Sequence, residues 1–345
     1  MTGLVDAEFH LLRVHLEPLP FISLEFPFSR VRDHWSTGGA RMSVSPEHYA
    51  GFLERMGHHV RCSGGLWWFD VQNQVYTSFP FHRSIDASTV QVGEVLGLDG
   101  LVLRFGCPAE QGTPSFRVMC SDPDYDFPSL RSRTRTQVRR GLEACKVRRV
   151  DFADLSRDSI ALHADTLQRQ GRRIPDDLER TWRRYYAEAA RTIGAEAWAA
   201  YVNGEMAACL VAFVIEDVSN LLIVRSSLQY LESFPNNALI YTYLHSRLRQ
   251  GDIRTVSYGY QSIQAGLDSL DQFKTGMGFD KVPTDQRVEF AGWLRPIVNR
   301  TTIPLLQRLL LSRQDSEQRA KLLGMLQWYC QQPGRNQLSR DLRVA

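Results

Sequence analysis

The sequence has no CxxC pair. Its six cysteines, Cys62, Cys107, Cys120, Cys145, Cys209 and Cys330, are scattered. That argues against a zinc ribbon or a disulfide framework and for free, mostly buried thiols in a reducing compartment. Long apolar runs are also missing: the longest, residues 207–215, is far short of the roughly 20 residues a membrane helix needs. The N-terminus carries Asp6 and Glu8 with no basic stretch leading into an apolar one, so no secretory signal is expected. There is no P-loop, no GxGxxG after a strand, no GxSxG and no HExxH. His10, His15, His58 and His59 have no partners at ligand spacing, so no metal is expected. The expectation is a cytoplasmic protein with no membrane contact.

Lysine is scarce. Of 41 basic residues only Lys146, Lys274, Lys281 and Lys321 are lysines. The positive charge is unevenly placed. Residues 131–149 hold eight basic residues and one acid, Glu143, a local net of +7 in a chain whose total is +3. Such a segment on a slightly acidic body either attracts a polyanion or forms a solvated face paired with acids elsewhere.

At 345 residues the chain suits about two domains. Residues 9–32 alternate apolar positions with Pro18, Pro20 and Pro27 and read as short extended pieces. Ser45-Pro46 opens a helix that Gly57 stops. Gly64-Gly65 turns into a strand at 66–69; a helix follows over 88–96, then strands at 100–105 and 115–120. A basic helix is expected over 128–144 and a strand over 147–152.

The second half is clearer. Helices are expected over 154–170 and from Pro175, the latter with the stripe Leu178, Trp182, Tyr185, Ala189 and Ile193. Strands at 196–202 and 206–215 flank Asn203-Gly204, a hairpin turn whose residues both accept positive φ. A strand at 218–227, a helix over 233–250, a strand at 254–260, a helix over 267–277 and a strand at 282–290 follow. An antiparallel meander feeding two strand–helix crossovers is α+β, or mixed α/β, and not a doubly wound sheet. A helical tail over 303–328 either packs on the body or mediates a homodimer.

That element order is the order of the GNAT acyltransferase fold. The segment Leu270-Asp271-Gln272-Phe273-Lys274-Thr275-Gly276-Met277-Gly278-Phe279, after the strand Val256-Ser257-Tyr258-Gly259-Tyr260, resembles the Phe-Lys helix of Fem-type aminoacyl transferases and related two-lobed GNAT-like proteins. Residues 131–150 look like the basic helix and strand leading into their second lobe. The resemblance implies a GNAT-like lobe at 1–130, a basic helix and connecting strand at 131–152, a transferase domain at 153–292 and a helical tail at 293–345. It also implies transfer of an acyl group, from acyl-CoA or aminoacyl-tRNA, to a small-molecule or peptide amine, with residues 131–149 contacting tRNA.

On that resemblance Lys274 and Tyr258 are the catalytic candidates. Phe273, Arg225, Ser226, Asn236 and Asn237 are the candidates for donor binding. An ammonium or phenol at the transfer site stabilises an oxyanion or protonates a leaving group. Each also has a plain reading: Lys274 a solvated helix lysine, Phe273 a core ring. Tyr258 and Tyr260 alternate onto one face, which suits a site or a core equally. Arg225 ends an apolar strand and must find a carboxylate in the protein or an anion on a ligand. The turn at 228–237 lacks glycine and holds Glu232, unlike the pyrophosphate-binding turn of many GNAT enzymes. That departure favours the aminoacyl-tRNA branch, or a non-catalytic GNAT-like protein that binds nucleic acid through residues 131–149.

Overall fold

The structure, a computed structural model, describes residues 43–334 apart from 73, 262–267, 295, 300, 305–307 and 309–316. The extended pieces expected at 9–32, and Leu305, Leu306, Leu309 and Leu310, lie outside the described residues.

Helix α1 (Pro46–Met56) begins where Ser45 accepts the Glu47 N–H and ends at Gly57, whose φ of 93° turns its N–H back onto Leu53 and Glu54. Strands β1 (Val60–Ser63), β2 (Leu66–Gln72) and β3 (Val75–Phe79) form an antiparallel meander. Of these only part of β2 was expected. Helix α2 (Val92–Leu96) starts four residues later than the pattern indicated and leads to β4 (Val102–Cys107), parallel to β3. β5 (Thr113–Cys120) follows, then the basic helix α3 (Ser132–Ala144) and the edge strand β6 (Lys146–Val150). The strand expected at 147–152 stops there because Phe152 already opens a helix.

The single helix expected over 154–170 is two, α4 (Phe152–Asp158) and α5 (Ile160–Arg169). At the break the Ser159 hydroxyl bonds back to Leu155 O at 2.7 Å, a contact that bends helices. Helix α6 (Leu178–Ala190) ends before Ile193, which is 61% exposed and leaves the expected stripe. β7 (Ala195–Val202) and β8 (Glu205–Ile215) are joined by Asn203 and Gly204 at φ of 51° and 88°. β9 (Val218–Ser226), α7 (Pro235–Gln250), β10 (Thr255–Tyr260), α8 (Asp268–Gly276) and β11 (Asp280–Phe290) complete the body. Helix α9 (Glu317–Gln331) packs Met325 and Leu326 into the core around β4 and β11.

The eleven strands of the described residues share one sheet, in the order β1-β2-β3-β4-β11-β5-β10-β9-β8-β7-β6. It contains the same motif twice. β1–β2–β3, α2 and parallel β4 correspond to β7–β8–β9, α7 and parallel β10. Each half then passes its next strand to the other: β5 pairs with β10, and β11 pairs with β4. β5 and β11 pair with each other at the centre. The fold is the two-lobed GNAT arrangement, with the lobes fused through exchanged strands. In the second half, α3, α7 and α8 cover one face of the sheet, and α1 with α4–α6 covers the other. Among the described residues no helix is long and apolar enough to cross a membrane.

Candidate functional site

The parallel strands β9 and β10 pair only at Val218–Thr255, Ser219–Val256 and Asn220–Ser257. Both run on, to Ser226 and Tyr260, without pairing further. The divergence has a local cause on each side. On β9, Ile223 lies opposite Val211 and Leu221 opposite Ala212, so Leu222 is an extra residue. On β10, Val256 lies opposite Cys120 and Tyr260 opposite Arg117, again one residue too many, and Gly259 takes a φ of 91°. Bulges bend strands and end ladders. The result is a wedge at the carboxyl ends of two parallel strands, where open α/β sheets bind ligands.

The equivalent gap between β3 and β4 is closed by the chain itself. Ile85 N–H donates to Gly106 O at 2.9 Å, the Tyr260 hydroxyl donates to Phe81 O at 2.8 Å, and Arg117 donates to His82 O. A Cβ at Gly106 would collide with the Tyr260 hydroxyl, so glycine permits this plug. The open wedge therefore lies in the second half.

The bulge on β10 also corrects the expectation that Tyr258 and Tyr260 share a face. Tyr260 turns to Phe81 and Arg117, whereas Tyr258 turns to Phe279, with ring centroids 5.5 Å apart, and to Lys274. Lys274 Nζ stands 4.7 Å from the centroid of the Tyr258 ring. Lys274 is only 6% exposed, so it is not a solvated helix lysine. Burial holds its ammonium below the usual lysine range, with Asp271 pulling it up and Lys281 pushing it down. The Tyr258 phenol is pushed up to about 12 by burial, partly offset by Arg225, and stays protonated at neutral pH. Phe273 packs against the core beside them.

The residues expected to hold the donor do not form one group. Ser226 and Asn236 meet, the Asn236 amide donating to Ser226 Oγ at 3.0 Å, and Arg169 adds a bond to Ser226 O at 3.2 Å. Asn237 is buried, its amide directed at Gln137 of α3 and the Met277 sulfur. Arg225 lies opposite Cys209, on the α4–α6 face of the sheet, away from Ser226. At the start of α7, Phe234 adopts a φ of 50°, and Gly141 of α3 sits beneath it, where a Cβ would come 2.8 Å from Phe234 O. Arg140 of α3 lies 5.0 Å from the Phe234 ring centroid. The basic helix thus borders the positive end of the α7 dipole. A shallow cleft of about 370 Å³, lined by Arg131, Asp271, Gln272, Thr275 and Lys281, opens on the other side of α8.

Sequence reasoning missed His163 of α5. It is 1% exposed, stacks on Trp182 at a centroid distance of 3.6 Å, and shares a 2.7 Å hydrogen bond with the Tyr186 hydroxyl. Nothing local signals it, because its partners belong to another helix. Burial, and then the Arg225 charge, push its pKa from 6.5 down to about 3. The unfolded chain therefore takes up a proton near pH 6.5 that the folded chain refuses until about pH 3. Stability contributed by neutral His163 is complete above pH 6.5 and is lost as pH falls through that window, by at most about 1.4 kcal/mol per pH unit. Urea melts from pH 7 to pH 4 are expected to fall more steeply for the wild type than for His163→Gln. Equal slopes would remove His163 as the source.

A family model described as an acetyltransferase (GNAT) domain matches residues 128–265. No curated protein matches the sequence. Among solved structures, FemX is similar at 12% identity and a TM-score of 0.50, covering 76% of this chain and 93% of its own. The C-terminal domain of an Agrobacterium fabrum protein described as a lysylphosphatidylglycerol synthetase gives 12% identity and a TM-score of 0.49, covering 76% and 92%. A tandem GNAT protein from the clavulanic acid biosynthesis pathway gives 10% identity and a TM-score of 0.37, covering 67% and 81%. Residues 128–265 thus carry a GNAT domain, and the fold around it, two strand-exchanged halves with an opened β9–β10 wedge, is similar to that of FemX.

Proposed function

We propose that the wedge transfers an acyl group from acyl-CoA to an amine. The amine nitrogen attacks the thioester carbon. A C–N bond forms, the C–S bond breaks, and the proton lost by the amine ends on the departing sulfur. The Lys274 ammonium stabilises the oxyanion of the tetrahedral intermediate, and the Tyr258 hydroxyl relays the proton to the thiolate. The observation that carries this reading is the placement of Lys274 Nζ over the Tyr258 ring, beside strands that diverge for no other evident purpose. The substrate's own amine is the nucleophile, so positioning and electrostatics suffice for the chemistry. The donor's phosphates lie at the start of α7, near Asn236, Ser226, Arg169 and Arg140.

One observation favours aminoacyl-tRNA as the donor instead. Arg133, Arg139, Arg140, Lys146 and Arg148 are exposed along α3 and β6, and among the described residues no ion pair holds them. Thermal-shift titration against acetyl-CoA, longer acyl-CoAs and bulk tRNA separates the two. A ligand that binds the folded state at a hundred times its Kd stabilises it by about 2.7 kcal/mol. A shift with an acyl-CoA, little changed by moderate salt, is the expected result. A shift with tRNA alone that collapses with salt would move the donor to aminoacyl-tRNA. No shift with either would leave acyl transfer without a donor.

A further inference from the structure

The α5–α6 side of the sheet, beside the wedge, holds two groups that donor binding does not use. The first is His163, whose tautomer the surrounding hydrogen bonds define. The Ser159 hydroxyl gives its only proton to Leu155 O at 2.7 Å. The Tyr186 hydroxyl, 2.7 Å from Ser159 Oγ, must therefore be the donor of that pair. The Tyr186 oxygen is then left to accept, and the His163 Nε2–H donates to it at 2.7 Å. His163 Nδ1 consequently carries a lone pair. It is buried, and among the described residues it has no hydrogen-bond partner. Leaving a buried acceptor unpaired is costly.

The second group is the Arg225 guanidinium. It is partly buried on the same face of β9, and its Nη1 donates to Val224 O at 2.8 Å. Among the described residues no carboxylate lies within ion-pair distance of it. Cys209, Tyr186, Tyr185, Tyr258 and His163 all feel its charge. α5 is held against the end of β9 by Arg169 on Ser226 O and by Asp165 on the Leu228 N–H at 2.9 Å. Trp182, stacked on His163, and Tyr185, with its centroid 5.2 Å from that of Trp182, line the wall. The remaining N–H donors of a guanidinium and an unpaired acceptor on one aromatic wall complement a ligand that has both an oxyanion and an N–H.

We propose that the acceptor amine carries its own oxyanion, a carboxylate or a phosphate: Arg225 holds the oxyanion, and the His163 Nδ1 lone pair takes an N–H of the amine. This rests on the wedge being the acyl-transfer site, and it selects amino acids or amino phosphates over simple amines as acceptors. It also assigns Arg225 to the acceptor and not to the donor.

Binding tests it independently of turnover. The probes are glycine, phosphoethanolamine, acetate and methylamine, followed by thermal shift at constant ionic strength. Glycine or phosphoethanolamine raises the wild-type Tm, and whichever does so identifies the oxyanion; methylamine does not. In Arg225→Met that response disappears and the acetyl-CoA shift is retained. The ligand-free Tm of Arg225→Met is unchanged or rises, because an unpaired guanidinium is replaced by an apolar side chain of similar length. Where glycine is the responding probe, acetate raises the wild-type Tm less than glycine does, and His163→Phe keeps that acetate response and loses the advantage of glycine over acetate. The proposal is overturned by an unaltered probe response in Arg225→Met, or by a wild type that ignores both oxyanion-bearing amines. Loss of the acetyl-CoA and probe responses together would return Arg225 to the donor and overturn it as well. A fall in the ligand-free Tm would make Arg225 a structural strut.

Discussion

Lys274→Ala is expected to lower turnover by about 10²–10³-fold, the usual effect of removing one oxyanion-stabilising donor from a preorganised site. The ammonium is almost fully buried, lies over the Tyr258 ring, and is neighboured by Asp271 and Lys281, which pair with each other at 3.3 Å. Removing it takes away a desolvated charge, so the fold should survive. Lys274→Met, which keeps most of the stem, should melt at or above the wild-type temperature and be just as inactive. Because the ammonium loses its proton at a pH below the usual lysine value, activity should also decline as pH rises through that lowered pKa. Single-turnover rates with acyl-CoA, alongside melting curves, check both points. Wild-type rates in either variant would remove Lys274 from the mechanism.

The largest effect on stability is expected at the opposite, closed end of the wedge. Arg247 of α7 contacts Glu196 of β7 at 3.0 Å and Asp252, just before β10, at 2.9 Å. Tyr243 reaches Glu196 at 3.3 Å and Ser219 of β9 at 2.5 Å. Glu196, Ser219, Tyr243 and Arg247 are all buried. This network joins the N-terminal ends of β9 and β10, where they still pair, so that the divergence begins at a defined residue. Glu196→Ala leaves a buried guanidinium with Gln250 and a single carboxylate, Asp252, and should cost about 3 kcal/mol, the lower end of what breaking a buried ion pair costs. That is a large part of the roughly 5–15 kcal/mol by which domains are stable. Replacing Glu196 and Arg247 together by leucines should cost less, because the one charge left behind, Asp252, is partly exposed and no buried guanidinium remains. Urea denaturation of the wild type and the two variants measures this. A Glu196→Ala loss below about 0.5 kcal/mol would show that the pair is not coupled to folding.

Local chemistry made much of the second half legible. Asn203-Gly204 forms the hairpin because both residues tolerate positive φ. The apolar run of β8 is buried on both faces, and Pro235 opens α7. The Phe-Lys helix lies next to the strand that its resemblance implied. What failed locally did so for identifiable reasons. The β1 and β3 segments are only four and five residues long and mix polar with apolar positions, too short for alternation to show, and β1 is also an edge strand. Residues 154–170 kept one helical period across a break made by a single serine hydroxyl.

The sequence by itself determined the order of the strands from β7 onward and of the helices between them, the turns that join them and the identity of Lys274 and Tyr258 as residues worth testing. These follow from periodicity and turn chemistry within a few residues of each other, or from a motif read in line. Only the tertiary structure decided that the two halves exchange strands, that one wedge is plugged and the other open, and that Tyr258 and Tyr260 part company at a bulge. It alone brought Arg225 and His163 to one wall. Those outcomes depend on register across strands and on contacts between helices far apart in the chain, and neither leaves a periodic trace in the residues themselves.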